Sequence, residues 1–401
     1  MPDAATSPSI PGPALLEAAH RLAGPMVELR RAIHRDPELG LQLPRTQQRI
    51  LEALTGLGLD ISTGRSITSV VAQLDTGRPG PTVLLRGDMD ALPMTEDTDV
   101  EFRSVHEDRA HSCGHDSHVA MLVGAATVLT EARSELTGSI RFMFQPGEEG
   151  HHGARFMIEE GVLDGVDRAF AVHATPSIPA GMVATRPGPL MDSADTFHLT
   201  VRGKGGHASS PHHCTDPIPP ACEIVTNLQT MVTRTVDPNQ PGLLTVAHIA
   251  AGTATNVIPE TADVEGTIRA FSERTRTTIH EGVERVATSI ARAHDCSCSV
   301  HIEPGYPVTT NDPVQAALAA AVATDLLGES GYVQLPTPIM GAEDFSYVLD
   351  EVPGALAFLG VCPDDIANSL DAPPNHSNRM RLNEAAMPTG AALYAAMAMA
   401  G

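Results

Sequence analysis

The sequence predicts an α/β fold, a largely parallel sheet flanked by helices, with a smaller ferredoxin-like α+β domain inserted into it. Three observations lead there. Helical and strand periodicities alternate along the first half of the chain, the mark of a parallel sheet. The apolar runs there are continuous and end in polar residues, as strands buried on both faces do. From Asp192 the order becomes β-α-β-β-α-β, the ferredoxin-like arrangement. The α/β domain is therefore expected at 14–191 and 306–401, and the insertion at 192–305.

Taken in order, residues 15–35 carry apolar side chains at helical spacing (Leu16, Ala19, Leu22, Met26, Leu29, Ile33) and predict one helix. It stops at Asp36, because Pro37 biases its predecessor out of the helix. A second helix spans 47–57 and closes at Gly58. Strands follow at 70–74 and 82–85, the latter delivering Arg86-Gly87-Asp88 at its C-terminal end. Helix 118–133, strand 139–145, helix 155–160 and strand 168–173 continue the alternation. In such sheets active sites gather outside the carboxyl ends of the strands, where Asp88, Glu148, Glu149 and His173 fall. The insertion reads as strand 197–202, helix 219–236, strands 243–249 and 261–271, helix 274–294 and strand 298–303. Beyond it come helix 312–327, strand 355–360, a Pro-rich loop to His376 and helix 384–400.

Composition narrows the function classes. A chain of 401 residues exceeds one core, and a 42% hydrophobic fraction is that of a folded protein. A net charge of −23 disfavours nucleic acid and anionic membranes as partners, while a local Arg still permits an anionic substrate. No apolar run approaches the ~18–20 residues of a membrane span. The N-terminal MPDAATSPSIPGP has neither a basic region nor an apolar core, so it is read as a flexible arm and not as a secretion signal. Six irregularly spaced cysteines, with Cys296 and Cys298 too close for a structural bridge, point to a reducing cytoplasm.

The chemistry concentrates in AHSCGHDSH (110–118) and RFMFQPGEE (141–149). Cys113 and His115 stand two apart, so both can face one centre in a turning segment. Adjacent Glu148 and Glu149 follow a buried strand and a Pro-Gly turn, where bare charge is costly unless paired or metal-bound. One can bind metal while the other takes a proton from water. His173 ends the apolar run AFAVH, and His376 sits in PPNHSN. Singly, each also fits a plainer role: a buried thiol, a solvated acid pair, a core histidine, a loop histidine. A thiolate, imidazoles and carboxylates at strand ends together describe a metal site with a base beside it.

These motifs follow one another in order: RGDMDALP (86–93), CGHDSH (113–118), FQPGEEG (144–150), GKGGHAS (203–209), TATNVIPE (253–260), GTIRAF (266–271), MGAEDFS (340–346) and NHS (375–377). The pattern resembles the metal-dependent aminoacylase and carboxypeptidase family, in its branch of hippurate hydrolases, N-acyl-amino-acid amidohydrolases and auxin-conjugate hydrolases. It covers the chain from about His34 onwards. The resemblance implies a centre of two divalent ions held by Cys113, His115, Glu149, His173 and His376. Zinc and manganese suit that donor set, and cobalt or nickel are also compatible. It implies Glu148 as general base and then general acid, and Asp90 behind the ligands, orienting an imidazole. It leaves the role of Asp88 open. The insertion becomes a lid and dimerisation module of a homodimer, with His207 reaching into the partner subunit's site to stabilise an oxyanion. Asn256 and Arg269 would hold the substrate's carboxylate. Ser112, His151, His152, Thr175, Asp192 and Asn378 depart from the usual pattern, which bears on substrate preference and not on the ligand set.

The expected activity is hydrolysis of an N-acyl amino acid, or a similar small amide, to a carboxylic acid and an amino acid. Short dipeptides are an alternative substrate. A hydrolase using Cys113 as nucleophile, or a non-catalytic binder of acyl amino acids, are alternatives of other classes.

Overall fold

The computed structural model describes residues 12–400; most of the expected N-terminal arm, residues 1–11, lies outside them. The described residues form two compact units. One comprises residues 12–188 with Thr310–Thr337 and 344–400, and the other Pro189–Thr309 with Pro338–Glu343.

The first unit is built on an eight-stranded sheet. Its four central strands, Ser139–Gln145, Thr82–Asp88, Arg168–Thr175 and Gly354–Gly360, are parallel and adjacent in that order. Val70–Asp75 and then Asp60–Thr63 extend one side antiparallel. On the other side Val183–Thr185 joins antiparallel to Gly354–Gly360, and Tyr332–Gln334 lies parallel to Val183–Thr185. Gly354–Gly360 is buried throughout, and Thr82–Asp88 is buried beyond its first residue. Strands covered on both faces have no polar side to present, hence their unbroken apolar runs. Helices His115–Glu131 and Met387–Met399 pack on each other and on the central strands. Both are apolar around nearly their whole circumference, as befits helices with no solvent face.

The single helix expected over 15–35 is two, Gly12–Arg21 and Ala23–Arg35. Pro25 has no amide to bond back to Arg21, so the ladder breaks there. Met26 restarts it with a 3.0 Å bond to Leu22 O. The apolar spacing runs through the break, which is why periodicity alone does not reveal it.

The second unit is an antiparallel four-stranded sheet in the order Gly242–Ala251, Thr261–Ala270, Ser193–Arg202, Ser297–Pro304. Helices Ile218–Thr235 and Glu273–Ala293 pack together and against it. Burial alternates residue by residue along its two inner strands. Phe197, Leu199, Val201, Val264 and Ile268 thus enter the core with Ile224, Leu228, Ile279 and Val283. No helix among the described residues is long and apolar enough to cross a membrane.

Candidate metal centre

Three parallel strands and two further segments, the one entering helix His115–Glu131 and the loop of His376, position the candidate donors. Thr82–Asp88 runs on to Asp90, Ser139–Gln145 runs into the Pro146-Gly147 turn before Glu148, and Arg168–Thr175 carries His173. The turn requires glycine. Gly147 has φ +74°, and a Cβ there would lie 2.4 Å from Leu41 Cδ2. Cys113 and Gly114 precede helix His115–Glu131, with Gly114 left-handed at its N-cap.

The fold brings six of the seven expected residues of this unit together in overlapping sets, and Asp90 stands behind them. Cys113, His115 and His173 form one, Cys113, Glu149 and His376 a second, and His115, Glu148 and Glu149 a third. Within each set the donor atoms lie within 4.8 Å of one another. Cys113 Sγ is 3.5 Å from His173 Nε2, and His376 Nε2 is 3.3 Å from Glu149 Oε1. His115 Nε2 lies 3.5 Å from Asp88 Oδ2 and 3.9 Å from both Glu148 Oε2 and Glu149 Oε1.

Backbone carbonyls aim two of the imidazoles. His115 Nδ1 donates to Asp90 O at 2.9 Å, and His173 Nδ1 donates to Ala174 O at 2.9 Å. Each therefore turns Nε2 inward, as a lone pair in the neutral His173 and as the nitrogen where a metal would replace a proton in His115. Asp90, expected to orient an imidazole, offers its carbonyl to His115 Nδ1. Its carboxylate has another task, accepting the amides of Glu148 at 2.9 Å and Glu149 at 3.0 Å. It thereby holds the turn that carries both glutamates.

Asp88 accepts from Arg86 Nη1 at 2.6 Å and from His118 Nδ1. Although burial opposes its charge, Arg86, His115 and His118 hold its carboxyl well below the usual range. His118, the third imidazole of the motif, also receives the Ala174 amide on Nε2 at 2.7 Å. With both nitrogens engaged it positions Asp88 and the His173 strand and has no lone pair left to give. Asn375 donates to Cys113 O at 2.9 Å and Ala174 O at 3.1 Å, while the His376 amide donates to Ser112 O at 2.7 Å. These bonds hold His376 at φ +68°, a left-handed conformation that histidine tolerates better than most residues. Sequence reasoning assigned no role to His118, Asn375 or Arg86. All three stand inside the quoted motifs, and that was their only signal.

Charge is distributed unevenly across the site. Burial lowers proton affinity at His115, but Asp88 beside it and the bond to Asp90 raise it well above that of an ordinary imidazole. Burial, with His118 alongside, pushes His173 well down and keeps it neutral. Burial pushes the Cys113 thiol up to about 12, so a cation must be present for it to ionise near neutrality. Two buried atoms, His115 Nε2 and Glu149 Oε1, make no hydrogen bond. Orphaned donor atoms facing one another beside a thiol are what a metal site looks like without its ion, and the residues present fit one.

The other three expected residues lie in the second unit. His207 is on the short strand Gly206–His207, paired with Val257–Ile258, and Ser209 Oγ is 2.7 Å from its Nδ1. Asn256 is its neighbour, its carbonyl accepting the Ala208 amide at 3.0 Å. Arg269 stands apart from them on Thr261–Ala270, with Nη1 3.6 Å from Asp192 Oδ1.

Residues 84–400 match the model of peptidase family M20/M25/M40. The chain is 40% identical over 378 residues to IAA-amino acid hydrolase ILR1-like 2 of Arabidopsis thaliana, covering 93% of this chain and 84% of that one. It is 38% identical over 378 residues to thermostable carboxypeptidase 2 of Saccharolobus solfataricus, covering 93% and 94%. Among solved structures it superposes, at TM-score 0.82 and 31% identity, on a dinuclear metal binding peptidase of the M20 family from Bacillus subtilis, covering 95% and 98%. The fold and the buried donor cluster are those of the metal-dependent amide hydrolases. The chain belongs to peptidase family M20/M25/M40.

Proposed function

We propose that the protein hydrolyses the amide bond of N-acyl amino acids, releasing a carboxylic acid and a free amino acid. The observation that carries this reading is the pair of orphaned donor atoms, His115 Nε2 and Glu149 Oε1, inside overlapping ligand sets beside Glu148. Cys113, His115, Glu149, His173 and His376 would hold two divalent ions, as the M20 peptidase of B. subtilis is dinuclear. Such ions lower the pKa of a water towards ~7 and polarise the amide carbonyl.

The protein's own residues do the rest. Glu148, with its amide anchored on Asp90, removes a proton from the attacking water and returns it to the leaving nitrogen. The partner subunit's His207 stabilises the oxyanion in a homodimer, and Asn256 and Arg269 receive the substrate carboxylate. Zinc, manganese, cobalt and nickel all suit the donor set. A reducing compartment, the cytoplasm, fits six cysteines that are all unbridged.

The Arabidopsis relative's name supports an acyl amino acid substrate, and the Saccharolobus relative's name favours short peptides as the second reading. A Cys113 nucleophile is disfavoured, because burial leaves that thiol protonated near neutrality. The test is amino acid release from a panel of N-acyl amino acids and dipeptides with the metal-loaded enzyme. Turnover of acyl amino acids ahead of dipeptides is expected. Turnover confined to dipeptides moves the assignment to peptidase, and binding without turnover removes it.

A further inference from the structure

Asp192 is an acid that nothing in the proposed chemistry uses. It is fully buried. Its Oδ1 accepts the Gly341 amide at 2.8 Å, and its Oδ2 has no hydrogen-bond partner. The cation nearest to it is Arg269, whose Nη1 lies 3.6 Å from Oδ1 on a side chain still 33% exposed. A buried carboxylate so sparsely bonded depends on that guanidinium for its countercharge.

The pair changes what Arg269 can recognise. A lone guanidinium presents a full positive charge and a bidentate fork, the ideal partner for a substrate carboxylate. Here one carboxylate is already present, so the pair is neutral and one of its donors faces inward. Because the side chain is still partly exposed, its remaining N–H groups can bind a carbonyl oxygen. A second carboxylate arriving there meets Asp192 a few ångströms away as a like charge, whereas an amide or ester carbonyl meets no such cost. The chain's net charge of −23 adds no attraction for an anion.

We propose that Asp192 is a specificity-determining residue that cancels the charge of Arg269, so that substrates ending in a neutral amide or ester are accepted alongside free carboxylates. The inference rests on the reading of Arg269 as the group that meets the amino-acid end of the substrate.

The test compares kcat/KM for an N-acyl amino acid and for its C-terminal primary amide, with the same acyl group and side chain, using the full-length metal-loaded enzyme. Wild type is expected to use the two within about tenfold of each other. Asp192→Asn and Asp192→Ala are expected to raise the carboxylate-to-amide ratio about tenfold, through a lower KM for the carboxylate and not through kcat. A ratio that is unchanged or falls in folded variants overturns the proposal. So does a wild-type preference for the carboxylate above ~100-fold, a measurement that needs no variant to fold. Arg269→Gln distinguishes the role of Arg269 from that of Asp192. If it leaves the ratio untouched, the role of Arg269 itself fails; if it collapses carboxylate use while the Asp192 variants do nothing, only the role of Asp192 fails.

Discussion

The two units carry their candidate residues in opposite ways. In the first, Cys113, His115, Glu148 and His173 are buried and only His376 is exposed; backbone carbonyls aim His115 and His173, and the Asp90 carboxylate anchors the amides of the two glutamates. In the second, His207 and Asn256 are exposed and Arg269 is half-buried. The contrast separates two tasks. Donors for a metal must be held in advance, because a misplaced ligand costs affinity directly. Groups that meet a substrate can stay solvated until it arrives.

Several outcomes can break or sharpen that contrast. The largest concerns the metal. Chelation should abolish amide hydrolysis, and resupplied zinc, manganese, cobalt or nickel should restore it, read as amino acid released. Activity that survives chelation would leave the first unit's donor sets without a purpose. Next, the bonds that preset the buried site should matter nearly as much as the donors. Asp90→Ala frees the Glu148 and Glu149 amides and should lower metal affinity or activity ~10–100-fold. Metal titration and kcat would register it, and an unaffected variant would mean the turn is held without Asp90.

In the second unit, His207→Ala should lower kcat ~10²–10³-fold with little change in metal content. Mixing that variant with an inactive Glu148 variant should regain part of the activity if His207 acts across a dimer. Failure to complement would confine His207 to its own subunit.

The smallest effect is on stability and again differs between units. Burial opposes the charge of Asp195, but His280, Arg276 and the Gly305 amide hold its pKa at about 2 against an ordinary 3.8. In the first unit burial likewise opposes Glu96, and His34, Thr98 and the Ser104 amide hold it at about 2 against 4.5. Both folded values are depressed, so each contribution is complete above the ordinary value and is lost as pH falls towards 2. Asp195→Asn should remove about 1–2 kcal/mol near neutrality and flatten the acid limb between pH 4 and 2. Hydrogen exchange should localise the change to the second unit; an equal loss in both units would contradict it.

How much of this was legible follows from where each signal resides. The central strands read directly. Strand 139–145 has the same ends in sequence and structure, because its apolar residues Ile140, Phe142, Met143 and Phe144 are all buried and polar residues stand at both ends. Asp60–Thr63 and Tyr332–Gln334 were missed; they are short, partly exposed edge strands without an apolar run. The cluster of Cys113, His115, Glu149, His173 and His376 was visible as residue types at strand ends and in motif order. Its scaffolding was not. Asn375 reaches Cys113 across 262 residues of chain, and His118 bridges Asp88 and Ala174. Bonds between side chains and distant groups leave no local periodicity to read. The pairing of Asp192 with Arg269 is of the same kind: a departure can be noticed in the sequence, but its partner appears only in the fold.

The central claim is that the buried donor cluster positions a metal centre for which Glu148 is the proton carrier. Its most direct test is Glu148→Gln, with metal content and amide turnover measured on the same sample. An unchanged metal complement and turnover reduced by ~10³-fold or more are expected. Full metal content with substantial turnover would contradict the claim and assign the proton transfer to another group.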